Sequence, residues 1–369
     1  MAEKHLYFCN ILVSRWVNAL GLGQGRLKSG LTIKSILVVK WDEIGDMGAA
    51  VHVFGTLKSA YPDAKITVLC KPFVTSLIAG DPAVDAVITD IEDWQERYDL
   101  VVELRGTWKT LWKSLALRTM PNYRVDRGWV RFLQRGDQPH EVVTNERIIR
   151  PLLGEGQPIA KRVLYPSAEE IAAAQVWSDW ALSGVGSAQV HFSSNQSQDA
   201  KTDAPEFSGY AILHTGARRE LRRWPLDRFV ALSKWLLQEK KLIPIWVGTS
   251  DEEHQLDEAF ALGAAGKKWV APEGSSLLSF YAFIASSKLY VGNESGPLQL
   301  ADIAEIPLVA IYGPGVPNVF YPRSARSRVL HEVLDCNPCD QIHCVRPSDR
   351  CIDRIGLASV QLAVNQVLG

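Results

Sequence analysis

The sequence lacks two features that would direct the chain to a membrane or to a nucleic acid, namely a long apolar run and an excess of one charge. No uninterrupted apolar stretch approaches the roughly 18–20 residues that cross a bilayer. Lys and Arg number 40 and Asp and Glu 41, a net charge of −1, so no nucleic-acid partner is expected. Asn10, Ser14 and Arg15 interrupt the N-terminal apolar stretch too early for a secretion signal. We therefore expect a cytoplasmic protein.

Cysteine is also scarce, with 6 residues in 369, but four of the six stand close together. They follow the spacing C-x2-C-x4-C-x6-C at Cys336, Cys339, Cys344 and Cys351. Disulfides are not expected in a cytoplasmic protein, and the spacing alone is compatible with a structural zinc or iron–sulfur site. We favour an interpretation without bound metal and keep the four-cysteine metal site as the alternative.

The alternation of two periodicities predicts an α/β fold. A chain of 369 residues exceeds a single compact core and predicts two domains. Short apolar runs with strand character alternate with helical spacing, which is typical of parallel sheets. The predicted strands are 35–40, 65–69, 86–88 and 99–103 in the first half, and 210–214, 242–247, 289–291 and 308–311 in the second. The predicted helices include 47–60, 141–153 and 166–182.

The domain boundaries follow from composition. Residues 193–208 are polar and aperiodic, which predicts a flexible linker. It separates two Rossmann-like domains, 35–192 and 209–356, and a ligand would bind between two such halves. Residues 1–34 form an extension with apolar residues at helical spacing. We interpret it as a helix packed on the domain body, with an interfacial membrane helix as the alternative.

The most informative segment is the turn Val291-Gly-Asn-Glu-Ser-Gly-Pro-Leu-Gln-Leu-Ala301. A strand-like run ends there, and a helix-compatible run begins at Pro297, which suits a first helical turn. A strand that leads into a helix N-terminus presents backbone N–H groups and a positive dipole end to an anion. Ser295 or Glu294 could cap this helix. The segment predicts a ligand site at the carboxyl edge of an open α/β sheet.

The turn Trp41–Gly48 follows the first predicted strand and opens a helix. Gly45 allows a tight turn with close ligand approach, and Asp46 would lie near the helix N-terminus. From the residues alone, Asp46 is either a helix cap or a functional carboxylate. Asp42 and Glu43 are weaker candidates for the functional role.

Arginines cluster between the strand end at His214 and the pair Trp224-Pro225. Guanidinium groups match phosphate oxygens in fork geometry, which favours a phosphate contact. A solvated charged loop is the alternative. Basic residues also follow the strand 99–103, including Arg105 and Lys109, and they admit the same two interpretations.

An acidic turn at 248–253 follows the strand 242–247 and opens another helix. An acidic residue at such a point commonly binds ribose hydroxyls. Negative charge at a helix N-terminus is also favoured for structural reasons. Both interpretations of Glu252 stay open.

The ordered set of motifs resembles glycosyltransferase family 9, the heptosyltransferases. The segment 294–301 is similar to the family motif Asp-Ser/Thr-Gly-Pro-x-His-x-Ala, with Glu294 at the Asp position and Gln299 at the His position. Gly45-Asp46 with the helix break at Tyr61-Pro-Asp resembles the opening of the family. Arg222-Arg-Trp-Pro stands where the family has Lys-x-Trp-Pro. The cysteine cluster, which ends in Cys351-Ile-Asp-Arg-Ile355, resembles a cysteine-rich family segment that ends in Cys-x-x-x-Ile. The resemblance extends over residues 35–369 apart from the linker.

This resemblance implies a GT-B fold with two Rossmann-like domains facing a cleft, and a final helix, residues 357–369, that packs back on the first domain. It implies an inverting, metal-independent glycosyltransferase without a cofactor. A sugar, heptose or a related one, would move from a nucleotide diphosphate donor such as ADP-heptose to a lipopolysaccharide-core or other glycan acceptor. An anionic glycolipid acceptor leaves open a peripheral contact with the inner membrane.

The resemblance also implies roles for individual residues. Asp46 would be the catalytic base, and Arg222 would take the place of the lysine that neutralises the donor diphosphate. The implied acceptor-binding residues are Gly45, Arg105 and Lys109. The implied donor-binding residues are Thr215, Gly216, Arg222, Glu252, Glu294, Ser295, Gly296 and Gln299.

Two departures from the family motif bear on specificity. Glu294 reaches one methylene further than aspartate, and Gln299 can form hydrogen bonds but cannot carry a proton. We therefore expect a donor other than ADP-heptose if these positions contact the sugar. Two other functions stay open: another GT-B enzyme such as a nucleotide-sugar epimerase, and a non-catalytic nucleotide-sugar-binding protein.

Overall fold

The computed structural model describes residues 32–105, 108–116, 124–126, 139–183, 207–315, 317–337, 339 and 341–369. The predicted N-terminal helix and nearly all of the predicted linker lie outside these residues. The chain divides into two compact units, Met1–Tyr165 with Asn318–Phe320, and Pro166–Pro317 with Tyr321–Gly369. Within the described ranges, no helix is both long and apolar enough to cross a bilayer.

The first unit is built on a parallel sheet. Its strands are β1 (Ser35–Lys40), β2 (Lys65–Cys70), β3 (Ala86–Ile88), β4 (Leu100–Arg105) and β5 (Arg124–Asp126), and its helices are α1 (Ile44–Gly48), α2 (His52–Ala60), α3 (Thr75–Ile78), α4 (Trp108–Ala116) and α5 (Glu141–Ile149). The order is β3-β2-β1-β4-β5. β1 and β2 are buried along almost their whole length, as expected for parallel strands covered on both faces. The strand order reverses beside β1, so the carboxyl ends of β1 and β4 form the switch point at which such sheets bind ligands.

Two predicted helices of this unit differ from the structure. The helix predicted over 47–60 is divided into α1 and α2, with Ala49–Val51 between them. The helix predicted over 141–153 ends at Ile149, and a 3-10 turn that contains Pro151 follows it. Proline lacks the N–H group that a continuing α-helix requires, which accounts for the earlier end.

The second unit contains a six-stranded parallel sheet. Its strands are β6 (Gly209–His214), β7 (Leu242–Gly248), β8 (Lys267–Val270), β9 (Leu289–Asn293), β10 (Leu308–Tyr312) and β11 (Ser327–His331). Its helices are α6 (Ala168–Leu182), α7 (Leu226–Glu239), α8 (Glu253–Ala261), α9 (Leu277–Ala285), α10 (Gly296–Ile303) and α12 (Leu357–Leu368). The short helix α11 (Pro317–Phe320) belongs to the first unit except for Pro317. The order β11-β10-β9-β6-β7-β8 reverses between β6 and β9. The switch point therefore lies at their carboxyl ends, next to His214 and Asn293.

Helix α6 belongs to the second unit, although the sequence pattern places it in the first domain. The Trp177 ring meets the Trp269 ring edge-on at 5.1 Å, and the Ser178 hydroxyl lies 3.0 Å from the Tyr210 hydroxyl. The units divide between Tyr165 and Pro166. The predicted boundary within residues 193–208 places α6 in the first domain, whereas the helix packs on the sheet that follows it in sequence.

The C-terminal helix α12 packs within the second unit. Val360, Val364 and Val367 are buried in the same apolar core as Phe229 of α7 and Ile311 of β10. The expectation that this helix packs back on the first domain stays a prediction. Its apolar face is covered by elements of its own unit, which stabilises it there.

Candidate active site

Asp46 occupies the third position of α1, directly after the carboxyl end of β1. Burial, followed by the nearby charge of Asp42, raises the pKa of Asp46 from its ordinary 3.8 to about 6. The N-cap residue of α1 is Glu43, and no side chain caps the helix. Capping therefore does not explain Asp46, and a carboxylate with this pKa is suited to accept a proton near neutral pH.

The two competing carboxylates in this turn are engaged elsewhere. Asp42 lies 3.1 Å from Lys40 Nζ and 2.5 Å from the Arg105 guanidinium. Glu43 forms a more exposed ion pair with Lys71 at 2.7 Å. These ion pairs occupy both carboxylates, whereas Asp46 forms no salt bridge with a described residue, so the geometry favours Asp46 over both.

The predicted acceptor residues lie around the same switch point. Gly45 precedes Asp46 in α1, and Arg105 ends β4 directly opposite Lys40 of β1. The Arg105 side chain is 54% exposed, so its guanidinium reaches solvent while it holds Asp42. Lys109 is exposed on α4, the helix after β4. The structure thus brings Gly45, Asp46 and Arg105 to one sheet edge, with Lys109 on the following helix.

In the second unit, His214 links the three turns that follow β6, β7 and β9. Its Nδ1 lies 3.2 Å from the Ser295 hydroxyl, and its Nε2 lies 3.8 Å from a carboxylate oxygen of Glu252. His214 itself is 5% exposed. The sequence marks it only as a strand end, so its linking role was missed.

Glu252 is fixed by several contacts. Its carboxylate accepts hydrogen bonds from the Thr249 backbone N–H at 3.1 Å and from the Thr249 hydroxyl at 3.3 Å. Burial alone would raise the pKa of Glu252, but His214 and Thr249 outweigh it and lower the pKa to about 2. A Cβ atom at Gly216 would lie only 1.8 Å from Glu252 Oε1, so only glycine admits this placement. The structural interpretation, a capping box with Thr249, is present.

Arg222 belongs to a three-residue contact that the sequence does not predict. Its Nε donates to Gln341 Oε1 at 2.6 Å, and its NH1 lies 3.1 Å from Glu294. Burial raises the pKa of Glu294, and Arg222 opposes that effect. The Arg222 side chain is 24% exposed, whereas Arg218 and Arg219 are exposed. The solvated-loop interpretation therefore fits those two residues and not Arg222.

Asn293, at the end of β9, forms hydrogen bonds to both ends of the segment 215–224, which contains the phosphate-binding candidates. Its amide donates to the Thr215 carbonyl at 2.7 Å, and its side-chain oxygen accepts from the Trp224 N–H at 3.0 Å. Asn293 is fully buried. A polar residue that ends an apolar strand is a recognisable signal, so Asn293 could have been found from sequence, whereas Gln341 carries no such signal.

Helix α10 begins at Gly296, with Ser295 as its N-cap residue. Neither Ser295 nor Glu294 supplies the predicted cap, since no side-chain cap hydrogen bond forms and the Ser295 hydroxyl contacts His214 instead. Backbone N–H groups at a helix start bind anions when no side chain occupies them. Gln299 lies in the same helix and is 3% exposed.

All four clustered cysteines line one small cavity of the second unit. The Sγ atoms of Cys339 and Cys344 accept backbone N–H bonds from Gln341 and Arg346 at 3.3 and 3.4 Å. All four thiols are free. Among the residues that the structure describes, no three His, Cys, Asp or Glu side chains are grouped to hold a metal ion.

These features coincide with similarities to known proteins. Residues 94–348 match glycosyltransferase family 9 (heptosyltransferase). The chain is 24% identical over 323 residues to lipopolysaccharide heptosyltransferase 2 of Salmonella typhimurium, covering 80% of this chain and 87% of that protein. It is 26% identical over 163 residues to lipopolysaccharide heptosyltransferase 1 of Campylobacter coli, covering 43% of this chain and 46% of that one.

Solved structures agree on the fold. The family 9 glycosyltransferase of Veillonella parvula gives a TM-score of 0.70 at 17% identity, covering 93% of this chain and 98% of that one. The ADP-heptose lipopolysaccharide heptosyltransferase II of E. coli gives 0.66 at 22% identity, covering 90% and 98%. Because the family match spans more than half of the chain, this protein belongs to glycosyltransferase family 9, the heptosyltransferases, and is a glycosyltransferase of the GT-B fold.

Proposed function

We propose that this enzyme transfers heptose, or a related sugar, from a nucleotide diphosphate donor to a lipopolysaccharide-core or similar glycan acceptor, with inversion. Family membership and the names of the curated relatives support the donor and acceptor classes. The buried Asp46 at the β1 switch point, with its pKa near 6, carries the mechanistic part. Membership of a glycosyltransferase family favours transfer over the epimerase and the non-catalytic binding protein.

The proposed reaction is a single displacement. The acceptor hydroxyl oxygen bonds to the anomeric carbon of the sugar as the bond from that carbon to the diphosphate oxygen breaks. The hydroxyl proton passes to Asp46, and attack from the face opposite the leaving group inverts the anomeric configuration. At pH 7 a carboxylate with a pKa of about 6 is mostly ionised and still a useful base.

Protein groups, rather than a metal ion, stabilise the leaving diphosphate in this proposal. Arg222 supplies positive charge with two contacts already formed, to Glu294 and Gln341. The backbone N–H groups at the start of α10 and the turn at Thr215 and Gly216 add hydrogen-bond donors. Preorganised donors of this kind stabilise developing negative charge effectively.

Donor recognition is assigned to the carboxylates of Glu252 and Glu294 and to the amide of Gln299. Glu252, ionised and held by Thr249 and His214, is suited to accept hydrogen bonds from ribose hydroxyls. Glu294 and Gln299 are proposed to set sugar specificity. Because Glu294 is engaged with Arg222, its longer side chain also bears on the placement of the diphosphate-binding charge.

Peripheral membrane contact remains part of the proposal because the acceptor class is a glycolipid. Trp112 of α4 is 59% exposed. Lys109 lies three residues before it and is also exposed. An exposed indole beside an exposed lysine suits the interface of an anionic membrane.

The proposal is tested by incubating the enzyme with a core oligosaccharide and either ADP-heptose or a related nucleotide sugar, and by following release of the nucleoside diphosphate and the mass of the product. Asp46→Asn should reduce transfer by about 10²–10⁴-fold with little change in ADP affinity. Glu43→Gln is the matched control, since it removes a carboxylate from the same turn. Transfer by Asp46→Asn at the wild-type rate would remove Asp46 from the mechanism, and turnover of free donor without acceptor would contradict transfer.

A further inference from the structure

A buried cluster of ions lies at the carboxyl end of β1, and the proposed reaction does not use most of it. Lys40 and Glu141 are fully buried, and Asp42 is 2% exposed. Lys40 Nζ lies 3.0 Å from Glu141, the first residue of α5, and 3.1 Å from Asp42. Burying an ion costs several kcal/mol even after relaxation. Such a cluster at a switch point therefore calls for a functional explanation.

Among the residues that the structure describes, the cluster contains three carboxylates, Asp42, Asp46 and Glu141, and two cations, Lys40 and Arg105. Asp42 and Glu141 each have an ion-pair partner within 3.1 Å. Asp46 forms no salt bridge with any residue in the described part of the chain. Within this described group the carboxylates outnumber the cations by one, and Asp46 is the carboxylate without a salt bridge.

We propose that Lys40, held in place by Glu141, is a positioning residue whose ion pairs engage Asp42 and Glu141 and so leave Asp46 as the carboxylate of the cluster that exchanges a proton during catalysis. The proposal rests on the proposed role of Asp46 as the base. Lys40 is fully buried, and it acts through Asp46 rather than on the substrate.

Each charged neighbour either raises or lowers the pKa of Asp46. Burial is the largest influence and raises the pKa of Asp46; Asp42 and Glu141 raise it further, whereas Lys40 and Arg105 lower it. Without Lys40, Asp42 and Glu141 would each lose one cation partner, and Asp42 would keep its contact with Arg105, so the negative charge around Asp46 would increase. Like charges in one site hold protons more tightly, so Asp46 would be protonated at neutral pH and could not act as a base.

The test measures the acidic limb of the pH–rate profile for ADP release from ADP-heptose in the presence of core oligosaccharide. Lys40→Met should move this limb to higher pH by about one unit or more, so that activity lost at pH 7 returns at higher pH. Glu141→Gln removes a negative charge and should move the limb to lower pH. The double variant removes one charge of each sign, and its limb should return close to that of the wild type.

Lys58→Met is the matched control, because Lys58 pairs with Asp85 at 3.1 Å at the surface of the same unit and should leave the limb unchanged. Removing one partner of a buried pair can unfold a protein. If Lys40→Met does not fold, Glu141→Gln and the double variant still decide the question. A ¹³C-carboxyl titration of aspartate-labelled protein, with Asp46 assigned by its loss in Asp46→Asn, measures the same shifts without substrate.

The possible failures are distinguishable. If Asp46→Asn is inactive but the acidic limb and the carboxyl titration are the same in Lys40→Met, Glu141→Gln and wild type, the role of Lys40 is wrong and the base assignment stands. If Asp46→Asn keeps its activity, the proposed function fails in its mechanism. A double variant that resembles Lys40→Met rather than wild type would also overturn the charge-balance argument.

Discussion

Asp46→Asn should stabilise the protein at neutral pH while it removes the proposed base. In the folded protein, burial and then the charge of Asp42 raise the pKa of Asp46 from 3.8 to about 6. Above pH 6 the carboxylate is charged in the folded and unfolded states, and only the folded state holds that charge in a buried site. Asparagine keeps the shape of the side chain and lacks the charge.

The magnitude follows from the pKa difference. About 2 pKa units at about 1.36 kcal/mol per unit correspond to about 3 kcal/mol. Because the folded-state pKa is raised, the folded protein binds more protons than the unfolded chain between about pH 4 and pH 6, and wild-type stability falls as pH rises through this window. The advantage of the variant should be about 3 kcal/mol at pH 7.5 and about 1 kcal/mol at pH 4.5.

Urea denaturation of both proteins at the two pH values measures this difference. Glu43→Gln serves as the control, because Glu43 lies in the same turn and pairs with Lys71 near the surface; surface pairs contribute only about 0–1 kcal/mol. An equal gain at both pH values would indicate better packing rather than removal of a buried charge. A variant less stable than wild type at pH 7.5 would refute the reasoning.

Three further predictions concern the donor side. Arg222→Ala should weaken ADP binding by about tenfold or more, since charge-assisted hydrogen bonds contribute about 1.5–3 kcal/mol. Arg222→Lys and Gln341→Ala should weaken ADP binding less. Equal affinities for ADP in all variants, measured by titration, would show that Arg222 does not bind the nucleotide. Gly216→Ala should displace the Glu252 carboxylate and weaken ADP binding with little change in melting temperature. An unchanged affinity for ADP would mean that Glu252 does not bind the nucleotide. Glu294→Asp with Gln299→His should lower the specificity constant for the enzyme's own donor relative to ADP-heptose, and an unchanged donor ranking would show that these positions do not contact the sugar.

The central strands were predictable because both of their faces are buried. β1, β7 and β10 are apolar runs whose bounds nearly match the expected ones. The short edge strands β5, β8 and β11 were not predicted. β8, Lys267-Lys-Trp-Val270, pairs on one side only. A strand with one neighbour needs fewer apolar residues, so its sequence shows no clear run.

Turns at the switch points were predictable because their signal is local in the sequence. A strand end followed by glycine and then a helix defines such a turn locally, and this locates Asp46 and Glu294. The partners of these residues are not local. Gln341 lies 119 residues from Arg222, and Glu141 lies 101 residues from Lys40. No periodicity or spacing in one sequence encodes contacts of that separation.

The two units share one arrangement that sequence patterns find only in part. In each unit the strand order reverses once, and Asp46, Thr215 and Glu294 follow strands at that reversal, while Glu252 follows the neighbouring strand β7. The surroundings of the two carboxylates then shift their pKa values. Burial and Asp42 raise the pKa of Asp46, whereas His214 and Thr249 lower the pKa of Glu252 against the effect of burial. Because a pKa depends on burial and on neighbours from distant strands, a candidate carboxylate can be placed at a strand end from sequence, but its capacity to take up a proton requires the structure.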